Sequence, residues 1–191
     1  MNEIITDQNR RIHPHKFTMW VAIGSILMMF AGLTSAYIVK RSQVNWLMIE
    51  VPIIFWFSTL TILSSSATIH LSLKSLRDKR MVEYRRWMVI TAVLGVLFII
   101  SQIIGFVQFG KQDIRIVGAG SNASYSFLFA ISSLHGLHVL GGVIALLVIA
   151  IRAVSVSKRN YSTLPLEITA TYWHFVDALW IYLFIFFNWM K

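Results

Sequence analysis

Five apolar runs, each about long enough to cross a lipid bilayer, decide what this chain can fold into. They cover 17–39, 51–73, 87–109, 125–151 and 168–190, and charged or turn-forming residues bound each of them. A hydrocarbon core about 30 Å thick needs roughly 20 apolar residues in helical form. In that solvent every backbone N–H and C=O must be satisfied within the segment, so runs of this length read as α-helices. The expected fold is all-α: one polytopic bundle of five transmembrane helices, with 1–191 as a single membrane domain. No internal repeat, low-complexity tract or linker divides the sequence into separable units.

Composition narrows the chemistry. The chain is 57% hydrophobic and only 13% charged, against the roughly 25% charge of a soluble domain. It contains no Cys, which excludes disulfides, thiolate metal sites, iron–sulfur clusters and cysteine nucleophiles. The net charge of +9 does not point to nucleic acid, because the Lys and Arg residues lie between apolar runs and not on a soluble surface. The polar stretch 1–16 precedes an apolar run longer than a signal-peptide core, with no small-residue cleavage site after it. The first helix is therefore expected to stay in the mature protein.

The connections carry the topology. A basic stretch, Lys74, Arg77, Lys79, Arg80, Arg85 and Arg86, follows the second run, with Asp78 and Glu83 among the cations. Counted by alternate connections, 12 of the 17 Lys and Arg residues fall on the side of the N-terminus. The positive-inside rule then places the N-terminus in the cytoplasm and Lys191 outside. Trp20 and Tyr37 sit near the ends of the first run, where aromatic belts meet the interface. Together with His70, Lys74, Arg77, Arg80, Arg85 and Arg86 they are the expected lipid contacts, each cation attracting anionic headgroups by about 1 kcal/mol. In His13-Pro14-His15 the imidazoles are expected to be solvated or to meet lipid phosphate.

Ionisable groups inside a span cost at least about 2.5 kcal/mol on insertion scales, so they mark where a partner or cavity offsets that cost. The fourth run carries His135 and His138, the fifth His174 and Asp177, each pair three residues apart and so on one helical face. The reading adopted is an interhelical network of His135, His138, Trp173, His174 and Asp177, with the carboxylate accepting from imidazoles. Two alternatives stand beside it: ligation of haem or another metal by the three imidazoles, and a proton-coupled element at Asp177 and His174. No catalytic residue and no metal ligand is assigned. Ser and Thr in the second run, and the pairs Gly32 with Ala36, Ser132 with Gly136 and Gly141 with Ala145, read as small faces for close helix packing.

These residues resemble a known family. Tyr172-Trp173-His174-Phe175-Val176-Asp177, followed by Trp180-Ile181-Tyr182-Leu183-Phe184, is similar to the last-helix signature of subunit III of the haem-copper respiratory oxidases. His135-Gly136-Leu137-His138-Val139 with Gly141 and Gly142 resembles the preceding helix. Met19-Trp20, Ser25 and Phe30-Ala31-Gly32-Leu33 to Ala36-Tyr37 resemble the first shared helix. Leu63-Ser64-Ser65, and Trp87, Thr91, Gly95, Phe98 and Gln102, resemble the next two. The similarity covers all five runs in order. It implies the five-helix bacterial form, which lacks the first two helices of the seven-helix mitochondrial form. Two departures stand out. The family's membrane-embedded Glu falls at Ile26, and its Glu-Tyr pair falls at Gly105-Phe106.

The resemblance implies an accessory subunit of a cytochrome c or quinol oxidase in aerobic electron transport, with no catalytic residues of its own. It implies no cofactor in this chain, structural phospholipid around it, and haem and copper in partner subunits. Oxidase subunit I is the implied main contact, beside other oxidase subunits, phospholipid and a larger respiratory supercomplex; no nucleic acid is expected. The implied location is the bacterial inner (plasma) membrane, crossed several times. The alternative functions are a membrane haem-binding cytochrome subunit and a proton-coupled transporter.

Overall fold

The computed structural model describes residues 14–41, 53–110, 123–155 and 162–190. Within them the chain forms five helices and no strand: α1 (Pro14–Arg41), α2 (Ile54–Arg77), α3 (Met81–Gly110), α4 (Ala123–Ser155) and α5 (Leu164–Trp189). All five are long and apolar enough to cross a membrane, as the run lengths predict. The chain is thus an all-helical, multi-pass membrane protein.

Helix ends overshoot the apolar runs where polar residues suit a helix terminus. α3 begins at Met81, ahead of the expected 87, with Glu83 in its first turn, where a carboxylate complements the helix dipole. Arg85 and Arg86 therefore belong to a helical turn that extends the apolar part of α3. α1 opens on Pro14, a residue whose missing N–H costs nothing in a first turn. His13, Arg10, Arg11, Lys158 and Arg159 lie outside the described residues.

α2 and α3 form the most extensive helix pair, and the spacing of their buried residues says why. On α2 the buried set Phe55, Ser58, Ile62, Ser65, Ile69, Ser72 and Leu76 alternates steps of three and four. On α3 the set Tyr84, Met88, Thr91, Gly95, Phe98, Gln102 and Gly105 does the same. That is the spacing of two antiparallel helices packed knobs-into-holes at a shallow angle. Three of the α2 positions are Ser, which brings the backbones close where lipid supplies no hydrophobic drive. Ser65 Oγ lies 3.5 Å from the Thr91 carbonyl, and Gln102 Nε2 donates to Ser58 Oγ at 3.1 Å.

The connection between them is equally tight. Arg80 N–H donates to the Ser75 carbonyl at 2.9 Å and Lys79 N–H to the Leu76 carbonyl at 3.1 Å, the paired bonds of a Schellman cap. Lys79 takes the left-handed position, φ 59°, which glycine would occupy without strain.

α5 is the hub of the bundle. It packs on α2, α4 and α1, whereas α1 rests on α4 and α5 and does not pack on α2. Its buried face runs through Leu166, Ala170, Trp173, Val176, Trp180, Leu183 and Phe187. α1 contributes an inward face of Ile23, Phe30, Thr34 and Tyr37. Tyr37 was expected at the lipid surface. It is 2% exposed, because it shares this inward face and stands edge-on to Phe127, Phe186 and Phe187 at centroid distances of 6.4, 5.3 and 5.9 Å. Trp20 does face outward, 63% exposed.

Candidate functional site

The polar groups inside the bundle are organised by α5, but toward α2 more than toward α4. Trp173 is fully buried, and its Nε1 donates to Ser65 Oγ at 3.1 Å. His174 Nδ1 shares a 2.6 Å hydrogen bond with Ser66 Oγ. About two turns further on, Trp180 Nε1 donates to Thr59 Oγ1 at 3.0 Å and Tyr182 Oη to Thr34 Oγ1 of α1 at 3.2 Å. Tyr172 Oη donates to the His138 carbonyl of α4 at 2.9 Å. One helix thereby answers three others. In a membrane each such bond contributes about 0.6–2 kcal/mol, so together they help select which helices are neighbours.

Trp173 is also the steric centre. A Cβ placed on Gly142 of α4 would lie 2.9 Å from its Cε3, and one on Gly95 of α3 would lie 3.2 Å from its Cη2. The indole therefore fits a slot made by two glycines on two helices, with its N–H tied to a third. Gly95 carries part of the family resemblance but not as a slot, and Gly142 only as one of a pair. By contrast Gly32, Gly136 and Gly141, read as parts of small faces for close helix packing, have nothing within 4 Å of an added Cβ; Gly32 and Gly141 face outward, and Gly136 borders a groove between α3 and α4.

Of the five residues expected to form one network, no side chain hydrogen-bonds to another of the five. His138 Nδ1 lies 2.7 Å from the Leu134 carbonyl on its own helix. His135 is fully buried, and neither ring nitrogen has a partner among the described residues. Its ring stacks on Trp180 at 5.3 Å and meets Phe30 and Phe98 edge-on at 6.3 and 6.4 Å. Asp177 is 2% exposed, and neither carboxyl oxygen has a partner among the described residues; the nearby Ser66 hydroxyl is engaged by His174. The physical reason is rotational. The three-residue step sets His174 and Asp177 on one face of α5, but that face meets α2, while His135 meets an aromatic cage. An unanswered buried polar group costs about 1–3 kcal/mol, so the bundle carries these two against the gain from its other cross-helix bonds.

Among the described residues no three His, Asp or Glu side chains gather where they could hold a metal ion. What the arrangement can do is fix helices. The departures at Ile26 and Gly105 have structural counterparts. Ile26 packs against the apolar core, and a Cβ at Gly105 would fall 2.8 Å from Phe55 Cζ, so no carboxylate side chain has room there.

The basic end of the bundle holds the remaining polar cluster. Glu167 of α5 accepts from Lys16 Nζ of α1 at 2.8 Å and from Arg77 Nη2 of α2 at 3.0 Å. Arg80 is paired with Asp78 and Glu83 at 2.8 and 3.0 Å. His70, Lys74, Arg77, Arg80 and Arg86 are exposed, and Arg85 is half-buried with its Nε unpartnered.

Comparison with known proteins agrees with this architecture. The sequence model of the family described as cytochrome c oxidase subunit III matches residues 39–191. A probable cytochrome c oxidase subunit 3 of Nocardia farcinica is 33% identical over 196 residues, covering 92% of this chain and 90% of that protein. The probable cytochrome c oxidase subunit 3 of Mycobacterium tuberculosis H37Rv is 31% identical over 191 residues, covering 91% of this chain and 90% of that one. The cytochrome bo(3) ubiquinol oxidase subunit 3 of Buchnera aphidicola is 25% identical over 174 residues, covering 89% and 83%. With most of its length matched and its five membrane helices in place, the chain belongs to the cytochrome c oxidase subunit III family, and is a subunit III of a haem-copper respiratory oxidase.

Proposed function

We propose that this chain is a cofactor-free accessory subunit, docked on catalytic subunit I in the bacterial plasma membrane with its N-terminus in the cytoplasm and Lys191 outside. The family match over residues 39–191 carries this reading. Haem and copper reside in partner subunits, which perform oxygen reduction. This subunit stabilises subunit I during turnover, holds phospholipid through Trp20, His70 and the cations from Lys74 to Arg86, and offers dissolved oxygen an apolar route. The polar contacts among α2, α4 and α5, including Trp173 and His174, keep the scaffold rigid.

Three features support it. The outward Gly32 of α1 and Gly141 of α4 leave open space around their backbones, where a helix of another subunit can approach closely. Exposed Phe17, Trp20, Leu27 and Met28 give α1 an outward apolar face. Between α3 and α4 lies an apolar groove of about 480 Å³ walled by Val89, Val93, Leu97, Leu147 and Ile151. Such a groove takes up lipid tails or a nonpolar gas more readily than water does.

A deletion strain complemented with a tagged chain tests the proposal. Pull-down in mild detergent is expected to bring down the haem-bearing subunit I. Membranes lacking the chain are expected to show oxidase activity that decays several-fold faster during turnover and a higher KM for oxygen. Capture of the chain with no oxidase core would overturn the reading; unchanged lifetime and KM would remove the stabilising and oxygen-route roles.

A further inference from the structure

At the basic end, α1, α2 and α5 leave a cavity of about 360 Å³ between them. Glu167 stands on its wall, one carboxyl oxygen 2.8 Å from Lys16 Nζ and the other 3.0 Å from Arg77 Nη2. The two cations come from helices that do not pack on each other, so the carboxylate positions them across the gap. Two cations against one anion leave a net positive mouth. Lys16 has three N–H donors and Arg77 five, and Glu167 takes one from each, while the side chains stay 44% and 59% exposed. His70 lines the same cavity and adds an imidazole with no hydrogen-bond partner among the described residues.

Thr171 and His174 continue the polar lining, while Met19, Leu73 and Ile168 give the cavity an apolar side, and Trp20, 63% exposed, stands beside them at the level where indoles meet headgroups. A cavity with cationic donors at one side and an apolar exit at the other fits an amphiphile with an anionic head. Guanidinium donors match the oxygens of a phosphate in particular.

We infer that this cavity binds the phosphodiester headgroup of one anionic phospholipid, its oxygens taken by Lys16 and Arg77 and its chains leaving past Met19, Trp20 and Leu73. The inference deepens the lipid-holding role proposed above and gives it one defined seat. Free phosphate shares the oxyanion chemistry, but the apolar wall selects the lipid.

The test uses the intact oxidase complex, delipidated in mild detergent and titrated with spin-labelled phosphatidylglycerol. The Lys16→Gln/Arg77→Gln double variant is expected to bind about 30-fold more weakly, from about 1 kcal/mol per cation near a membrane surface. Lys40→Gln, exposed at the opposite end of α1, is expected to match the wild type. If the double variant does not assemble, Lys16→Gln alone, at the start of α1, should still weaken binding about fivefold. Excess inorganic phosphate at constant ionic strength should not displace the lipid; displacement would overturn the lipid as occupant. Equal binding by wild type and variants would overturn the site, and subunit I co-purifying with all of them would show that the accessory-subunit reading had not failed with it.

Discussion

Truncating Trp173 to Ala is expected to lower the stability of the bundle by about 3 kcal/mol or more, read as an earlier loss of helicity when sodium dodecyl sulfate is titrated into mild detergent. The side chain is fully buried and reaches three helices: the Ser65 hydroxyl of α2 and the glycine slots of α3 and α4. In lipid the transfer part of a large-to-small substitution shrinks, because the unfolded reference is itself apolar. The cavity part persists, at about 24 cal/mol per Å³ of unfilled volume, and an indole leaves a large volume between rigid helices. Trp173→Phe keeps most of the filling and removes the N–H bond to Ser65, so it is expected to cost about 1 kcal/mol for that bond. Trp173→Ala as stable as the wild type would show that the slot collapses, and that the indole is not a wedge.

Leucine at Gly142 is expected to be at least as damaging, by the opposite route. Its Cβ alone would sit 2.9 Å from Trp173 Cε3 and 3.3 Å from Tyr172 Cε1, contacts that require α4 and α5 to separate. Overpacking of this kind costs about 1–3 kcal/mol, and sometimes more. Gly141→Leu is the control, because nothing lies within 4 Å of its Cβ; a substitution into open space is expected to stay within about 0.5 kcal/mol. Combining Gly142→Leu with Trp173→Ala should recover part of the loss, a coupling of about 0.5–3 kcal/mol between residues in contact. Equal effects of leucine at 141 and 142 in the same titration would contradict the assignment of slot and outer face.

The contrast between these neighbouring glycines shows where sequence reasoning ends. The number and order of the helices were legible because span length follows from bilayer thickness, whatever each helix faces. Rotation about each helix axis was not, because a helix in lipid is apolar on every side and polar periodicity no longer marks its outer face. Gly32 and Gly141 read as packing faces, while Gly95 and Gly142 entered only through the family resemblance. A usable signal did exist in α2, where Ser58, Ser65 and Ser72 recur every seventh residue, the period of a packing seam. Likewise, three-residue spacing put His174 and Asp177 on one face without naming the neighbour across from it. That neighbour is α2, so His174 meets Ser66, and His135 is caged by rings of α1, α3 and α5.

At the level of mechanism, the polar groups within the spans divide into those that join helices and those with no partner among the described residues. Trp173, His174, Trp180 and Tyr182 join α5 to α2 and α1. His135 and Asp177 have no hydrogen-bond partner among the described residues. Among the described residues neither group gathers three side chains that could hold a metal ion.

Metal and haem analysis of the separated polypeptide tests this most directly. Purified with the oxidase in mild detergent and then dissociated from it, the chain is expected to carry no iron or copper above background and no Soret band, while the remaining core keeps both metals. Stoichiometric iron or copper on this polypeptide would contradict the account.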